Sequence, residues 1–176
     1  MKELNKMKEL FNDFIKKAEL LVEKPKQSLK FEDHNFRVNS DGWKKITVDG
    51  EEYLENPKKD IWEILGEEAR GEQLFTFEAM QRETKKAGKT VPTDNEFSEI
   101  LKEKEDMPNL VFAGLRGSNG AFSSLSSYAA FWSSLESGSK AWYRLLHSSD
   151  STVYRYAFNR TNGFSVRCVK DNNIII

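Results

Sequence analysis

The sequence predicts an α+β domain that begins with an amphipathic helix. Apolar residues recur at spacings of three and four over residues 2–24 and again over parts of 76–101, as on one face of a helix. Beyond Pro108 this period disappears, and short apolar stretches are separated by turns rich in Gly, Ser and Asn. Lys and Glu also become scarce: residues 118–159 are nearly uncharged and are rich in Ser and aromatic residues. Helices followed by strands are typical of the α+β class.

Composition excludes several classes of protein. A chain of 176 residues has about the size of one domain. A formal net charge of -1 and an isoelectric point near 6.2 give no case for a nucleic-acid-binding surface, so we expect no nucleic-acid partner. The chain has a single cysteine, which cannot form an intrachain disulfide.

No targeting or membrane segment is evident in the sequence. The charged N-terminus lacks the apolar core of a signal peptide, and no apolar run approaches the roughly 20 residues that span a bilayer. We therefore expect no membrane span. A soluble protein in a reducing compartment, the cytoplasm by default, is the resulting expectation, although the sequence does not name the compartment.

The N-terminal segment, residues 1–25, is predicted to be an amphipathic helix over 2–24. Its apolar positions are Leu4, Met7, Phe11, Phe14, Ile15, Ala18, Leu21 and Val22. Lys and Glu fill much of the other face, and Pro25 ends the pattern. The helix either packs on its own domain or pairs with a second copy, so self-association is one of two open expectations.

Residues 26–71 are predicted to contain the strands that lead into the fold. Ile46 and Val48 alternate with polar residues, and Asp49-Gly50 follows directly, which is a strong hairpin signal. Residues 60–65 have the apolar spacing of a short helix.

Two helices are predicted next. Thr76 begins the first, and Gly88 ends it in the manner common at helix C-termini. Thr93 and Glu96 have the spacing of a capping box, in which each residue bonds a backbone amide of the other, so a second helix begins there. Phe97 and Leu101 belong to its apolar stripe.

The remaining elements are predicted to be short strands. Their expected ranges are 110–114, 130–133, 141–146, 152–156 and 164–169. Together with the two helices they form the expected core at 72–176, which includes the segment at about 118–159.

Motifs in this core resemble a known family. Residues 76–79 read Thr-Phe-Glu-Ala, residues 87–97 read Ala-Gly-Lys-Thr-Val-Pro-Thr-Asp-Asn-Glu-Phe, and residues 163–167 read Gly-Phe-Ser-Val-Arg. In this order they resemble the formylglycine-generating, sulfatase-modifying family. The resemblance covers roughly residues 72–171 and implies a C-type-lectin-like fold. Fold alone does not imply the chemistry of that family.

The intervening residues resemble a narrower group, the variable proteins of diversity-generating retroelements. The resemblance rests on residues 131–134 (Phe-Trp-Ser-Ser), 136–139 (Glu-Ser-Gly-Ser), 141–142 (Ala-Trp) and 162–169 (Asn-Gly-Phe-Ser-Val-Arg-Cys-Val). In such systems, error-prone reverse transcription rewrites adenines in a C-terminal cassette. The resemblance implies that a lectin-like fold presents the altered side chains on one exposed surface, where they select a ligand.

Strand alternation predicts which side chains form that surface. Trp142, Arg144 and Leu146 match the family skeleton and are expected to point inward, as are Val153 and Arg155. The other parity is then expected outside as an aromatic patch: Tyr143, Leu145, His147, Tyr154, Tyr156 and Phe158. Connecting positions complete the expected ligand-binding set: Tyr128, Ala130, Leu135, Lys140 and Ser149, with Ser123, Leu125 and Ser127 beside them. Ordinary core packing of some of these aromatics is the alternative.

An enzyme of the formylglycine-generating type is a competing interpretation. The resemblance implies reactive cysteine chemistry, commonly by a pair near the C-terminus, whereas this chain has only Cys168, which we expect to be a buried structural thiol. His34 and His147 have no ligand spacing around them, so no metal site is predicted. No phosphate loop or nucleophile motif occurs, and we expect no cofactor and no catalytic residue.

Three arginines lie within predicted strands and need partners. Burying Arg144, Arg155 or Arg167 alone would be costly, so each is expected to be paired or stacked on Trp132 or Trp142. Glu136 is the nearest acidic candidate in the sequence.

The resulting hypothesis is a non-enzymatic binding protein whose C-terminal surface is diversified by a retroelement. Its ligand is unknown and expected to be a protein. A constant carbohydrate-binding or adhesion module of the same fold is the third interpretation.

Overall fold

The computed structural model describes residues 1–23 and 29–171, without the side chains of residues 19–23. It is mixed α+β, as the sequence predicts. The chain divides into two units. The first consists of Met1–Lys30 and Asp171–Ile176, and the second is Phe31–Lys170. Residues 31–71 of the segment predicted at 26–71 and residues 72–170 of the predicted core thus belong to the second unit.

The predicted N-terminal helix is present as α1, Lys2–Glu23. Its expected last residue, Lys24, the stop at Pro25 and the side chains of Leu21 and Val22 lie outside the described residues. Among the described helices, none combines the length and apolar content that crossing a bilayer requires.

The first five strands are β1 Leu29–Phe31, β2 Lys44–Val48, β3 Glu51–Glu55, β4 Ile61–Ile64 and β5 Gln73–Phe75. The last four of them form an antiparallel sheet. β2 to β5 are neighbours in that order, and β1 pairs with the last strand, β11, Val169–Asp171. The predicted hairpin is confirmed, because Asp49 (φ 51°) and Gly50 (φ 81°) turn the chain between β2 and β3.

The helix predicted at 60–65 is wrong, because these residues contain β4. All four residues of β4 are buried, so the strand lacks the alternation that would have distinguished it from a helix. Asn56 fixes where the strand begins, since its side-chain oxygen accepts from the amides of Asp60 (2.8 Å) and Ile61 (2.9 Å).

Both predicted central helices are confirmed. α2 spans Phe77–Lys86 after its N-cap Thr76, whose hydroxyl accepts from the amide of Ala79, and Gly88 follows the helix with φ 65°. α3 spans Asp94–Ile100 and has the complete capping box of Thr93 and Glu96. These local signals define helix starts because they satisfy amides that the helix itself leaves unbonded.

The later strands include a three-stranded antiparallel sheet. The strands are β6 Leu115–Arg116, β7 Phe122–Ser123, β8 Tyr128–Ser137, β9 Lys140–His147 and β10 Val153–Asn159, and the sheet order is β10-β9-β8. The predicted strand at 110–114 is wrong except for a single bridge between Gly114 and Ala129. Gly114 has φ 68°, and a Cβ there would lie 2.2 Å from the carbonyl oxygen of Ser123, so the chain turns at this residue instead of extending.

Residues 163–169 connect the two sheets. Phe164 exchanges backbone hydrogen bonds with Phe75 of β5 (2.8 and 3.0 Å). Ser165 bonds β8 through the amide–carbonyl contacts with Ala130 and Trp132. The strand predicted at 164–169 is therefore only partly present: Phe164 and Ser165 form isolated bridges, and regular pairing begins at Val169 in β11.

The three-stranded sheet is covered on both sides at its centre. On the side we call the α2 side, Trp132 and Tyr143 pack in a cluster with Phe75, Phe77 and Phe164. On the opposite side, the α3 side, Arg144 bonds Asp94 and Ser98 of α3. The buried core thus lies around β8 and the adjoining half of β9.

Candidate ligand-binding face

A row of aromatic side chains crosses the three-stranded sheet. Its members, called the aromatic row below, are Tyr128, His147, Tyr154, Tyr156, Tyr143 and Phe158. Successive ring centroids are 4.2 Å apart for Tyr128 and His147, 5.2 Å for His147 and Tyr154, and 6.3 Å for Tyr154 and Tyr156. Tyr143 lies 6.1 Å from Tyr156 and 6.4 Å from Phe158, which completes the contact chain. These spacings are those of interacting aromatic pairs.

Strand register produces this row. Tyr154, Tyr156 and Phe158 are alternate residues of β10 and share one side. Tyr156 is paired with Tyr143 of β9, and His147 at the other end of β9 is paired with Tyr128 of β8. Side chains directly opposite across antiparallel strands are neighbours, so the register itself brings the rings together.

Exposure on the α2 side rises across the three-stranded sheet from β8 through β9 to β10. In the cross-strand row Trp132–Tyr143–Tyr156, the exposed fractions are 0%, 7% and 46%. Phe158, two residues further along β10, is 49% exposed. The layer that covers β8 therefore stops before β10, and the aromatic row emerges from the core at this strand.

The expected ligand-binding residues divide into three groups by exposure. Leu135, Lys140, Ser149, Tyr156 and Phe158 are exposed; Tyr128, Leu145, His147 and Tyr154 are half-buried; Ala130 and Tyr143 are buried. The rings join in the aromatic row. Leu135 and Lys140 instead lie beside the β8–β9 turn, and Ser149 lies in the β9–β10 connection.

The expectation that Tyr143 is exposed is wrong, and Ala130 is fully buried as well. Both belong to the cluster on the α2 side, where Tyr143 lies 4.4 Å from Phe164 between ring centroids. Alternation assigns residues to a side of a sheet but does not say whether that side is covered. Val166 is buried as expected, whereas Trp142 and Val153 are only half-buried.

Ion pairs attach the α3 side of the three-stranded sheet to α3. Asp94 accepts from Arg144 (2.9 Å) and from Arg155 (2.9 Å to each carboxylate oxygen), and Arg155 also stacks on Trp142 at 3.6 Å from the ring centroid. Burial raises the pKa of Asp94, but hydrogen bonds and charge from the two arginines outweigh it, so the pKa lies below its ordinary value. The side chains that face away from the aromatic row thus fix β9 and β10 to α3.

The expectation that the arginines are paired or stacked is confirmed for Arg144 and Arg155 but not for Arg167, and the partner proposed from the sequence is wrong. Glu136 bonds Arg160 (3.4 Å), while Asp94 serves Arg144 and Arg155. Asp94 directly follows the capping Thr93, and this position at the start of α3 was the sequence signal that could have identified it as the partner of the arginines. Arg167 is held by the side-chain oxygen of Asn35 at 2.8 Å and by backbone carbonyl groups.

Asp150, which the sequence analysis did not single out, orients one ring of the aromatic row. The hydroxyl of Tyr154 donates to Asp150 at 3.1 Å, and Asp150 also accepts from the amide of Thr152 at 3.0 Å. The hydrogen bond to Asp150 and some burial raise the pKa of Tyr154. Tyr154 therefore keeps its proton at neutral pH and presents its ring beside His147. The Asp-Ser-Thr turn at 150–152 was the only sequence signal.

Cys168 is fully buried, as predicted. Burial raises the pKa of its thiol to about 12, so the thiol is protonated at neutral pH. Within the described residues, no group of three or more His, Cys, Asp or Glu side chains is placed to hold a metal ion.

No protein-family model, no curated protein and no solved structure matches this chain. Function is therefore inferred from the aromatic row, the covered core and the sequence motifs.

Proposed function

We propose that this chain is a non-enzymatic binding protein with a C-type-lectin-like fold of the formylglycine-generating type. A retroelement diversifies its surface within residues 118–159, so that the face recognises varied ligands, which we expect to be proteins. The aromatic row carries this proposal, because it gathers rings at the exposed strand β10, and of its members only Tyr143 belongs to the buried core.

The chemistry of the face suits ligand binding. Tyr and His side chains offer a large rigid contact area with few rotatable bonds, and the serines of the neighbouring loops offer adaptable hydrogen bonds. Tyr156 and Phe158 are among the most exposed large apolar residues of the second unit. Exposed aromatic residues that cluster in this way mark interaction sites more often than isolated ones do.

An open strand edge favours a protein ligand. β10 pairs with β9 on one side, and among the described strands none pairs with its other side. Such an edge offers backbone N–H and C=O groups to an extended peptide segment. A peptide strand added there would lay alternate side chains along Tyr154, Tyr156 and Phe158, which combines backbone pairing with side-chain selection.

Diversification requires that the face contribute little to folding. The large side chains of the covered centre, among them Trp132, Phe131 and Phe164, are fully buried and lie outside the exposed part of the row. Replacing an exposed ring leaves this packing intact, whereas replacing a buried one leaves a cavity. A surface that mutates frequently needs this separation of exposed binding residues from buried core residues, because its substitutions then leave the core intact.

Two displayed libraries test the proposal. The face library randomises Tyr128, His147, Tyr154, Tyr156 and Phe158; the matched control library randomises the buried residues Phe75, Phe131, Trp132, Leu146 and Phe164. We expect most face-library members to resist protease and to yield binders against unrelated proteins, while most control members are degraded. Loss of folding at the same rate in both libraries would contradict the proposal.

The neighbouring DNA provides an independent test. We expect a near-copy of the sequence that encodes residues 118–168, differing mostly at adenines, beside a reverse-transcriptase gene. A gene without both would contradict diversification and favour a constant carbohydrate-binding or adhesion module. Oxidation of a sulfatase-type peptide by the purified protein would instead establish the enzyme interpretation.

A further inference from the structure

The apolar stripe of α1 has the period of a coiled coil. Leu4, Met7, Phe11, Phe14 and Ala18 are separated by three, four, three and four residues, which are the alternating a and d positions of a heptad. The first four are large and 57–69% exposed. Leu10 and Ile15 flank the stripe and are also exposed, so the helix presents a wide apolar face that is not buried.

The charges beside the stripe indicate how copies would pair. In this phase Glu3 occupies a g position and Lys8 the e position five residues later. In a parallel, in-register coiled coil, a g residue of one helix faces the following e residue of its neighbour. Glu3 would then face Lys8 of a second copy, and Leu10 would face Ile15, so charge meets opposite charge and apolar meets apolar.

We propose that the chain self-associates through α1 as a parallel, in-register coiled coil. In the antiparallel alternative, g faces g and e faces e, so neither opposite-charge pair forms. Burial of the stripe would also stabilise α1, because most of the stability of a helix in a protein comes from packing of its apolar face.

The charge of α1 favours a second copy over a lipid surface. Residues 2–23 contain five lysines and five acidic residues, so the helix carries no net charge. Interfacial helices that bind anionic lipid usually have Lys or Arg in excess on the polar face. Here Lys6 and Lys16 share the polar face with Glu9 and Asp13, which suits a solvated helix exterior.

Association would have a consequence for binding, and that consequence alone rests on the proposed function. Each copy carries one aromatic row, so an assembly presents several binding faces on tethered units. A repetitive ligand would then be held with an avidity about 10²–10⁴-fold above the affinity of one face, provided that the faces engage together.

Analytical ultracentrifugation of the full chain tests the proposal without any ligand. We expect a concentration-dependent assembly, because association follows mass action, and we expect Phe11→Asp to be monomeric up to about 100 µM. Glu3→Lys and Lys8→Glu should each weaken association about five- to tenfold, while the double variant E3K/K8E returns to within about twofold of the wild type. Lys6→Glu, on the polar face, is the matched control and should change association less than about twofold.

Several results would overturn the inference. These are a wild-type chain that stays monomeric, an assembly that survives Phe11→Asp, or charge variants that the double change does not rescue. Binding of the monomer to phosphatidylcholine–phosphatidylglycerol vesicles through α1 would assign the stripe to lipid instead. Because the libraries above test the face within single displayed chains, failure of association and failure of ligand binding are distinguishable.

Discussion

Trp132 and Tyr156 lie in one cross-strand row on the same side of the sheet, yet their surroundings are opposite. Trp132 is fully buried on β8, where its indole N–H donates to the carbonyl of Phe75 at 2.7 Å. Tyr156, two strands away on β10, is 46% exposed and touches mainly the neighbouring tyrosine rings. Tyr143 lies between them and contacts both.

The difference shows that coverage, and not alternation, divides this sheet into core and surface. α2 and residues 163–169 cover β8 and part of β9 but end before β10. The cross-strand row Trp132–Tyr143–Tyr156 can therefore begin in the core and end at an exposed surface. Tyr143 marks the boundary, and its burial gives the exposed rings a rigid base.

The largest expected effect on stability is at Trp132, the buried residue of the compared pair. Trp132→Ala should lower the free energy of unfolding by about 3–5 kcal/mol, because it leaves a cavity and removes one of the two hydrogen bonds that the Phe75 carbonyl accepts. Urea or thermal unfolding of the purified variant measures this. A loss below about 1 kcal/mol would mean that the centre of the α2 side is loosely packed.

The next effect concerns the charged α3 side behind the row. Asp94→Asn should cost about 2–3 kcal/mol at neutral pH, since Arg144 remains buried without its carboxylate. Arg155 is more exposed, so we expect Arg155→Gln to cost less than Arg144→Gln. Equal losses would show that burial does not set the strength of these pairs.

The ion pairs of Asp94 with Arg144 and Arg155 predict that stability depends on pH. The folded-state pKa of Asp94 lies below its ordinary value of 3.8, so its stabilisation is complete above that value and is lost as the pH falls through the folded pKa. The wild type should therefore lose stability below about pH 4, and Asp94→Asn should lose less over the same interval. Urea unfolding of both proteins from neutral pH to about pH 3 provides the comparison.

A smaller effect is expected at Cys168, within the layer that covers β8. Burial raises the pKa of the thiol to about 12, so a thiol reagent should label the native protein slowly and the urea-unfolded protein fast. Cys168→Ser should cost about 1–2 kcal/mol, because a hydroxyl replaces an apolar group in the core. Rapid labelling of the native protein would place this residue at an open site.

The smallest effect is expected at the exposed end. Tyr156→Ala and Phe158→Ala should each change the free energy of unfolding by less than about 1 kcal/mol, because their rings are about half exposed. The same variants should abolish binding to any ligand selected with the wild-type face. If Tyr156→Ala destabilised the protein as much as Trp132→Ala, the aromatic row would be core throughout.

Sequence reasoning was most successful where the determinants are local. The turn at Asp49-Gly50, the cap at Thr76 and the capping box of Thr93 and Glu96 each depend on residues within four positions of one another, and all three are confirmed. The strands of the three-stranded sheet were also found, with ends displaced by a few residues.

By itself, then, the sequence determined the helix starts, the hairpin, the change from helices to strands and the identity of the clustered aromatics. Only the tertiary structure decided that residues 61–64 form a strand, that Tyr143 is buried and that Asp94 bonds Arg144 and Arg155. The physical reason is that turns and caps satisfy hydrogen bonds between neighbours in the chain. Burial and charge pairing instead depend on which distant segments cover a given side chain, such as α2 over β8 and α3 behind Arg144.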